Sequence, residues 1–261
     1  MDVRLRRAVV IKLGGSILVD EESYRQAARF IVRRMHKCST ECFVVVVSAQ
    51  KGLTDELERL ARGITEEPNP RTLDLLWSTG EMRSVALLTL HLEDLGVAVV
   101  GLNVHETGLR CNSPNPGETR VQSVSGQFRN AFEHHSVVVV PGFFGTLASG
   151  AIASLGRGGS DLSAVLLAYE LEALRCELIK DVPGYFTEDP DRNPKADRLS
   201  SITYDKAIEM ARFGCELVQP VALEAARERS LPLVVRSLGD EQPGTIVSTD
   251  ANQEQSCVKD T

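Results

Sequence analysis

Short runs rich in valine and isoleucine alternate along the chain with longer segments whose apolar residues recur every three or four positions. The short runs predict β-strands, and the longer segments predict amphipathic helices. The predicted strands are RAVVIKL, CFVVVVSA, VAVVGL, SVVVVPG, CELIKDV, LPLVVR and GTIVS. The predicted helices are Glu21–Lys37, TDELERLARGI, TLDLLWSTGEMRSVALLTLHLEDLG, VSGQFRNAFEHH, the segment around Leu162–Tyr169, Tyr204–Arg212 and Val221–Arg229.

The order of these elements predicts an α/β fold. Strands made almost entirely of apolar residues and separated by helices are typical of a parallel sheet that is covered on both faces. In such a sheet, ligands bind beyond the carboxyl ends of the strands, so we expect the functional residues in the loops that follow them. The segment CNSPNPGETR is predicted to be a surface loop or hairpin, and the polar residues after Ser248 a disordered tail.

Composition narrows the possible functions. The 261 residues are 43% hydrophobic and 25% charged, which is ordinary for a globular protein. The formal net charge of −7 argues against binding to nucleic acid or to an anionic membrane surface, and no apolar run is long enough to span a membrane. The six cysteines are scattered without a C-x-x-C pair, so we expect buried thiols in a cytoplasmic protein rather than disulfides or a metal site.

The segment SLGRGGSDLSAVLLAYEL places three glycines, Arg157 and Asp161 in front of a predicted helix. Glycine permits positive φ and a close approach to the backbone, and the unpaired N–H groups at a helix N-terminus attract anions. Two interpretations stay open from these residues alone, namely an anion-binding loop and a tight turn capped by serine or aspartate. The buried face of the helix is predicted to contain Leu162, Val165, Leu166 and Tyr169.

The segment IKLGGS, at the end of the first predicted strand, combines Lys12 with Gly14, Gly15 and Ser16. A lysine in an apolar strand is costly to bury unless its charge meets an anion, so this pattern suggests contact with a phosphate group. The spacing is not that of a Walker loop. The alternative is a lysine whose ammonium group reaches solvent at the edge of the strand.

A further candidate is Glu81, which lies in an apolar helical segment between Leu76 and Ala86. A carboxylate in such a place needs a cation, for example the ammonium group of a substrate. The alternative is an exposed glutamate that pairs with Arg83 or Lys51.

Taken together, these segments resemble one known family. KLGGS, VVVSAQKGLTDEL, STGE, PGFFG, GRGGSD, DVPGYFTEDP and FGCELVQP occur in the order and approximate spacing of the aspartokinases, which are members of the amino acid kinase superfamily. The similarity extends from about Val9 to Ser248. KLGGS alone would also fit acetylglutamate, uridylate or isopentenyl-phosphate kinases, whereas GRGGSD together with STGE is specific to the aspartokinase branch.

The resemblance implies a three-layer αβα sandwich with a central, mostly parallel sheet, formed by a single domain over residues 1–248. A lobe up to about residue 170 would bind the amino acid, and a lobe over about residues 171–248 would bind ATP with Mg²⁺. Residues 249–261 would form a polar tail. The implied reaction is ATP-dependent phosphorylation of the side-chain carboxylate of an amino acid, with L-aspartate giving 4-phospho-L-aspartate.

The resemblance also implies roles for individual residues. Lys12 and Asp161 would be catalytic, with Lys12 at the transferring phosphoryl group and Asp161 orienting it. Arg157 would pair with the α-carboxylate of the substrate, and Glu81 with its α-ammonium group. The other substrate-binding residues would be Ser48, Thr54 and Phe143, and the nucleotide-binding residues would be Gly14, Gly15, Ser16, Lys180, Asp181, Tyr185, Asp189 and Pro190. No protein ligand to a metal is predicted.

Three features depart from the family pattern. The chain ends where the family usually continues into regulatory ACT domains, so feedback control by that route is not expected. The first motif reads KLGGSI rather than KFGGTS. FGCELVQP stands in place of FGAKVLHP, which puts Glu216 where the family has a nucleotide-side lysine and Gln219 where it has a histidine. A carboxylate facing ATP would repel the phosphates, and Lys180 would either supply the missing positive charge or pair with Glu216.

Two classes of function therefore remain. The first is a working kinase for aspartate, or for another small carboxylate or phosphate acceptor, that acts in amino-acid biosynthesis as a cytoplasmic homodimer. The second is a degenerate kinase fold that serves as a ligand-binding or regulatory subunit, and a separate regulatory chain is one possible partner. The presence of Lys12, Glu81, Arg157 and Asp161 favours the kinase.

Overall fold

The structure is a computed structural model that describes residues 7–111, 125–156, 158–190, 192–239 and 242–250. Its strands are β1 (Ala8–Leu13), β2 (Cys42–Val47), β3 (Val99–Gly101), β4 (Val137–Pro141), β5 (Phe144–Thr146), β6 (Ile152–Ser154), β7 (Arg175–Ile179), β8 (Ser201–Thr203), β9 (Leu233–Arg236) and β10 (Thr245–Ser248). Its helices are α1 (Glu21–Lys37), α2 (Leu53–Ile64), α3 (Pro70–Asp94), α4 (Ser125–His134), α5 (Gly159–Glu170), α6 (Tyr204–Arg212) and α7 (Pro220–Glu228).

The central sheet has eight strands in the order β3-β4-β2-β1-β7-β9-β10-β8. Every neighbouring pair is parallel except β9 and β10, which are antiparallel. The predicted α/β fold with a mostly parallel sheet is therefore confirmed. Strands from the first part of the chain form one half of the sheet, and β7 to β10 form the other half, so that β1 and β7 meet in the middle with Lys12 beside Leu178.

Two apolar clusters cover the two faces of the sheet, which makes the fold three layers thick. Because side chains alternate along a strand, Val9 and Ile11 of β1 pack with α1 and α3, whereas Val10 packs on the opposite side with α5 and α7. Strand β2 is buried along nearly its whole length, as the run of valines predicts. This double coverage leaves the ends of the strands as the places where polar residues can gather.

Helix α1 shows how directly the sequence determines the local structure. The helix begins and ends at the predicted residues, Glu21 and Lys37. The carboxylate of Asp20 accepts a hydrogen bond from the backbone N–H of Ser23, and the Ser23 hydroxyl accepts one from the N–H of Asp20, which together form a capping box. The apolar residues that recur along it, Tyr24, Ala27, Ala28 and Ile31, are buried, whereas Met35 at its end is only half-buried.

Three short strands and one residue on a helix face differ from the predictions. Strands β5, β6 and β8 have three residues each, which is too short to show a period in the sequence. Tyr169 was expected on the buried face of α5, but it is 47% exposed and its ring lies under the guanidinium group of Arg229. The helix is instead buried on nearly all sides up to Ala168, so a narrow stripe does not describe it.

A buried group of ion pairs joins β7 to elements from the first half of the chain. Glu177 accepts hydrogen bonds from Arg34 of α1 at 2.6 Å and from Arg175 at 2.8 Å, and Arg175 also pairs with Glu41 at 2.9 Å. Burial would raise the pKa of Glu177, but the arginines, led by Arg34, hold it below its usual range. Breaking a buried pair of this kind costs about 3–5 kcal/mol, so these contacts fix the two halves of the sheet against each other.

In the part of the chain that the structure describes, no helix has the length and apolar character that crossing a membrane requires.

Candidate active site

The loops that follow β1, β2, β4 and β7 meet at one edge of the central sheet, because these four strands are neighbours and run parallel. Most of the predicted site residues lie in these loops or at the start of α5, which follows the β5–β6 hairpin. The polar groups of the site are therefore held by the ends of strands whose own positions are fixed by the core.

The centre of this edge is the carboxylate of Asp161, in the first turn of α5. Its Oδ1 lies 2.6 Å from Nζ of Lys12, at the end of β1, and its Oδ2 accepts a hydrogen bond of 2.8 Å from Nζ of Lys180, just after β7. The three side chains are 3–12% exposed. The alternative of a Lys12 ammonium group in solvent is therefore wrong. Of the two alternatives for Lys180, the ion pair with Glu216 is not observed, because Lys180 pairs with Asp161.

The protonation of this group follows from burial and charge. Burial would raise the pKa of Asp161, but the ammonium groups of Lys12 and Lys180 hold it well below its usual range. Burial lowers the pKa of Lys180; Asp161 opposes this shift and Lys12 adds to it. One carboxylate is thus shared by two lysines, which leaves an excess positive charge where an anion can bind.

Glycines bring the backbone close to these charged groups. A Cβ atom on Gly14 would lie only 2.9 Å from Nζ of Lys12, so this position accepts no side chain without moving the ammonium group. Gly158, with φ of 77°, precedes the first residue of α5, and a Cβ there would lie 2.7 Å from Cβ of Gln219. The glycines therefore leave backbone rather than side chains around Lys12 and the N-terminus of α5.

Glu81 is the second buried charged group at this edge, and it is 3% exposed. Its Oε1 accepts a hydrogen bond of 3.3 Å from the backbone N–H of Ala49, whereas its Oε2 is enclosed without a hydrogen-bond partner among the described residues. Burial raises the pKa of Glu81 to about 7, against the lowering effect of the Ala49 hydrogen bond. The alternative of an exposed glutamate paired with Arg83 or Lys51 is therefore wrong.

The other residues predicted to bind the amino acid lie on three elements. Ser48 donates its backbone N–H to the carbonyl of Leu13 at the end of β1, and Thr54 is half-buried in the first turn of α2. Phe143 follows β4 with φ of 68°, an uncommon conformation outside glycine, and its ring packs near the ring of Trp77 at 6.3 Å. Trp77 lies one helical turn before Glu81 on α3 and was not predicted as a site residue, although it is the only tryptophan of the sequence.

A cavity of about 590 Å³ lies beside the loop after β7. Three of the residues predicted to bind the nucleotide, Tyr185, Asp189 and Pro190, line it, whereas Lys180 and Asp181 do not. The sequence analysis did not assign the apolar side chains that also line it, which include Met210, Phe213 and Leu217. Phe213 is 86% exposed in spite of its apolar ring, and it begins the FGCELVQP motif, which was the signal for it in the sequence.

Several predicted residues lie elsewhere or outside the described ranges. Arg157 is outside the described residues, as are residues 112–120 of the predicted surface loop and residues 251–261 of the predicted tail. Ser16 is exposed, and Gly15 packs against the backbone of Ala49, where a Cβ would lie 3.1 Å from the carbonyl oxygen. Glu216 is exposed, and it does not line the cavity although Cys215 and Leu217 on either side of it do.

Four of the five cysteines in the described part of the chain follow the prediction of buried thiols, and Cys257 lies outside it. Cys38, Cys111 and Cys176 are buried, and Cys42 is partly buried. Cys215 is exposed because it follows the turn at Gly214, where the chain leaves α6 with φ of 101°. Among the residues that the structure describes, no group of three or more His, Cys, Asp or Glu side chains could hold a metal ion.

Comparison with known proteins identifies similar sequences and folds. The sequence model of the amino acid kinase family matches residues 7–237. The chain is 36% identical over 251 residues to the aspartokinase of Geobacillus stearothermophilus, a match that covers 96% of this chain and 61% of that protein. This chain therefore spans about three-fifths of the length of that curated relative.

Solved structures of aspartate kinases have a fold similar to that of this chain. The aspartate kinase from Synechocystis is 37% identical, with a TM-score of 0.81 over 93% of this chain and 40% of that chain. E. coli aspartokinase III, in complex with aspartate and ADP, is 26% identical, with a TM-score of 0.75 over 94% of this chain and 65% of that chain.

Proposed function

Because this chain belongs to the amino acid kinase family, we propose that it transfers the γ-phosphoryl group of ATP to the side-chain carboxylate of L-aspartate, giving 4-phospho-L-aspartate and ADP. The observation that carries the proposal is the buried Lys12–Asp161 ion pair at the edge of the sheet that also holds the unpartnered oxygen of Glu81. The similar E. coli enzyme binds aspartate and ADP, which supports the choice of substrates.

The reaction requires neutralisation of the negative charge on the phosphoryl oxygens, and it does not require a general base. A carboxylate oxygen of aspartate attacks the γ-phosphorus, and the bond from that phosphorus to the oxygen of ADP breaks. Because the attacking carboxylate is already ionised near neutral pH, no proton has to be removed. What the protein must supply is alignment and positive charge for the phosphoryl oxygens. We assign this charge to Lys12, which Asp161 holds in place and which Gly14 leaves uncovered.

The amino acid would be recognised at its two ends. We assign the α-ammonium group to Glu81, whose Oε2 is buried without a hydrogen-bond partner among the described residues. Such an oxygen is costly to leave unpaired, and an ammonium group would satisfy it. The pairing of Arg157 with the α-carboxylate stays a prediction. Thr54, Ser48 and Phe143 are proposed to line the space around the side chain of the substrate.

The nucleotide would bind along the loop after β7, in the cavity next to Tyr185. That volume falls in the range of small-molecule sites, and its apolar wall suits a flat aromatic base. Mg²⁺ in kinases is held largely by the phosphates of the substrate. When bound, the ion would neutralise part of the phosphate charge; we assign no protein ligand to it.

The proposal is tested by measuring ADP release from ATP with the purified chain and different acceptors. We expect release to depend on L-aspartate and to fall by at least about tenfold with N-acetyl-aspartate, because Glu81 would then meet no ammonium group. Equal rates with both compounds would contradict the role of Glu81. Binding of ADP and aspartate by calorimetry without any ADP release would favour a ligand-binding subunit instead of an enzyme.

The raised pKa of Glu81 gives the reaction a predictable dependence on pH. The carboxylate must be ionised to hold an ammonium group, so kcat/KM for aspartate is expected to fall about tenfold for each pH unit below pH 7. In Glu81→Gln, kcat/KM is expected to be lower and nearly flat between pH 5.5 and 8. The matched control is Glu93→Gln, an exposed glutamate on the same helix, which should keep the wild-type profile. A Glu81→Gln profile that still falls below pH 7 would contradict the assignment.

The same shift predicts an effect of Glu81 on stability. Its pKa is about 7 in the folded state against an ordinary value of 4.5, so the burial penalty is absent below pH 4.5 and complete above pH 7. Glu81→Gln is therefore expected to raise the free energy of unfolding by up to about 3 kcal/mol at pH 8 and by little at pH 4.5. Denaturant unfolding at both pH values measures this, and a variant that is less stable at pH 8 would be the contrary result.

The predicted cytoplasmic location, homodimeric assembly and separate regulatory chain stay predictions. Light scattering of the purified chain measures the mass of the assembly, and a monomer at micromolar concentration would contradict the homodimer.

A further inference from the structure

We propose that Lys180 is a second catalytic lysine, which contacts the phosphates of the nucleotide and neutralises the charge that develops on the leaving ADP. The inference deepens the proposed kinase function and rests on it for the reaction step. Glu216 stands where the family has a lysine on the nucleotide side, and the inference assigns the positive charge of that lysine to Lys180 instead.

Lys12 and Lys180 lie on either side of the carboxylate of Asp161. Strands β1 and β7 are parallel neighbours, and Lys12 stands beside Leu178, two residues before Lys180. The two ammonium groups contact different oxygens of Asp161, at 2.6 Å and 2.8 Å. The backbone N–H of Lys180 is also fixed, because it donates a hydrogen bond of 2.8 Å to the carbonyl of Arg236 at the end of β9.

Charge balance requires an anion near this pair of lysines. Their side chains are 8% and 12% exposed, and the one carboxylate that both contact carries a single negative charge. Asp181 attracts Lys180 more weakly than Asp161 does, so positive charge stays in excess in a largely buried place. An isolated buried ammonium group is costly, and a bound phosphate would compensate it. A purely structural ion pair would need only one of the two lysines.

The position of Lys180 in the chain points this charge to the nucleotide rather than to the amino acid. Lys180 immediately precedes the loop whose residues Val182, Gly184 and Tyr185 line the 590 Å³ cavity. Glu216 lies in the chain between two lining residues, Cys215 and Leu217, but it is exposed and does not line the cavity. Lys180 does not line the cavity itself either. Lys180 is largely buried and lies two residues before Val182, so its ammonium group at Asp161 is placed where the phosphates, rather than the base, of a nucleotide in this cavity would end.

The step that Lys180 would assist involves no proton transfer. As the bond between the γ-phosphorus and the bridging oxygen breaks, negative charge accumulates on the β-phosphate of ADP. An ammonium group within contact distance of that phosphate stabilises the charge as it forms. Lys12 would neutralise the transferred phosphoryl group, so that the two lysines act on the two sides of the breaking bond.

The test compares Lys180→Met, Lys180→Arg and Glu216→Lys with the wild type, each shown to be folded by circular dichroism. Calorimetry measures ADP binding in the presence of Mg²⁺, and steady-state kinetics measure kcat and the KM for aspartate. For Lys180→Met we expect ADP to bind at least about tenfold more weakly and kcat to fall by about 100-fold, with the KM for aspartate within about threefold of the wild type. Lys180→Arg should recover part of the ADP affinity. Glu216→Lys should stay within about twofold of the wild type.

The outcomes separate this inference from the proposed function. Unchanged ADP affinity in folded Lys180→Met would overturn it, even with a reduced kcat, because the lysine would then act only by positioning Asp161. If Lys180→Met does not fold, unchanged ADP affinity in Lys180→Gln is the overturning result. ADP binding does not need the acceptor. If the wild type binds ADP but does not phosphorylate aspartate, weaker ADP binding in Lys180→Met would still support the role of Lys180, and only the proposed substrate would be rejected.

Discussion

Lys12→Met is expected to lower kcat by at least about 100-fold while the protein stays folded. The ammonium group of Lys12 lies 2.6 Å from Asp161, and a Cβ on Gly14 would lie only 2.9 Å from it, so no side chain at that position separates it from an incoming phosphoryl group. Removing one preorganised group that stabilises the transition state costs about 10²–10³ in kcat. Methionine is unbranched and fills a similar volume, so the apolar contacts of β1 should be kept. Steady-state kinetics at saturating ATP and aspartate measure the effect.

The control for this variant is Lys37→Met, which removes the same charge from an exposed position at the end of α1. We expect its kcat to stay within about twofold of the wild type. A folded Lys12→Met protein with the kcat of the wild type would remove Lys12 from the catalytic site, and the assignment of phosphoryl contact to β1 would fail with it.

Asp161→Asn is expected to have the second large effect, on both stability and catalysis. The substitution leaves two buried ammonium groups, those of Lys12 and Lys180, without their shared counterion. Loss of one member of a buried ion pair costs about 3–5 kcal/mol of folding free energy. Because the pKa of Asp161 is held low in the folded state, this contribution is fully present in the wild type above pH 3.8, the ordinary value, and is lost as the pH falls further. The loss in the variant should therefore be visible throughout the neutral range.

Denaturant unfolding at pH 7 measures the stability of Asp161→Asn, and single-turnover kinetics measure its activity at a temperature where it is folded. The matched control is Asp205→Asn, which breaks an exposed pair with Arg227 and should change the free energy of unfolding by less than about 1 kcal/mol. If Asp161→Asn were as stable as this control and kept the activity of the wild type, the shared carboxylate would have neither of the roles assigned to it.

The sequence predicted the long elements of the fold well and the short ones poorly. The bounds of α1 were predicted to the residue because a polar N-cap, a regular apolar face and basic residues in the last turn all agree. The valine-rich strands β2 and β4 were found because they are buried on both faces, so that the run of apolar residues is unbroken. In contrast, β5 and β6 form a separate two-stranded sheet, and their three residues each give no pattern that a sequence analysis can detect.

In the site, the residue pattern found charges in apolar surroundings, and the family resemblance supplied Asp161 as the partner of Lys12 but not the contact of Lys180 with the same carboxylate. Lys12 and Glu81 stood out because each interrupts an apolar element, and both are buried in the structure. The buried partners of Glu177 were missed because Arg34 lies 143 residues away along the chain, and nothing local connects the two. Asp161 can contact both lysines because β1 and β7 are neighbours in the sheet, and only the strand order shows this.

Glu216 illustrates the limit of an argument from motif position. The motif FGCELVQP places it where the family has a lysine, and from the sequence this substitution threatened the binding of ATP. In the structure the neighbouring side chains line the cavity, and that of Glu216 does not. The direction of a side chain in an irregular loop depends on tertiary contacts, so the residue type alone could not settle whether its charge meets the nucleotide.

The most direct test of the account is to trap the product with hydroxylamine. An acyl phosphate formed from aspartate reacts with hydroxylamine to give aspartyl hydroxamate, which is identified by mass and by the position of the modified carboxyl group. We predict that the wild-type chain with ATP, Mg²⁺ and L-aspartate yields the side-chain hydroxamate, in amounts equal to the ADP formed, and that Lys12→Met yields at least about 100-fold less. A folded wild-type chain that binds ADP and aspartate yet gives no side-chain hydroxamate would contradict the account.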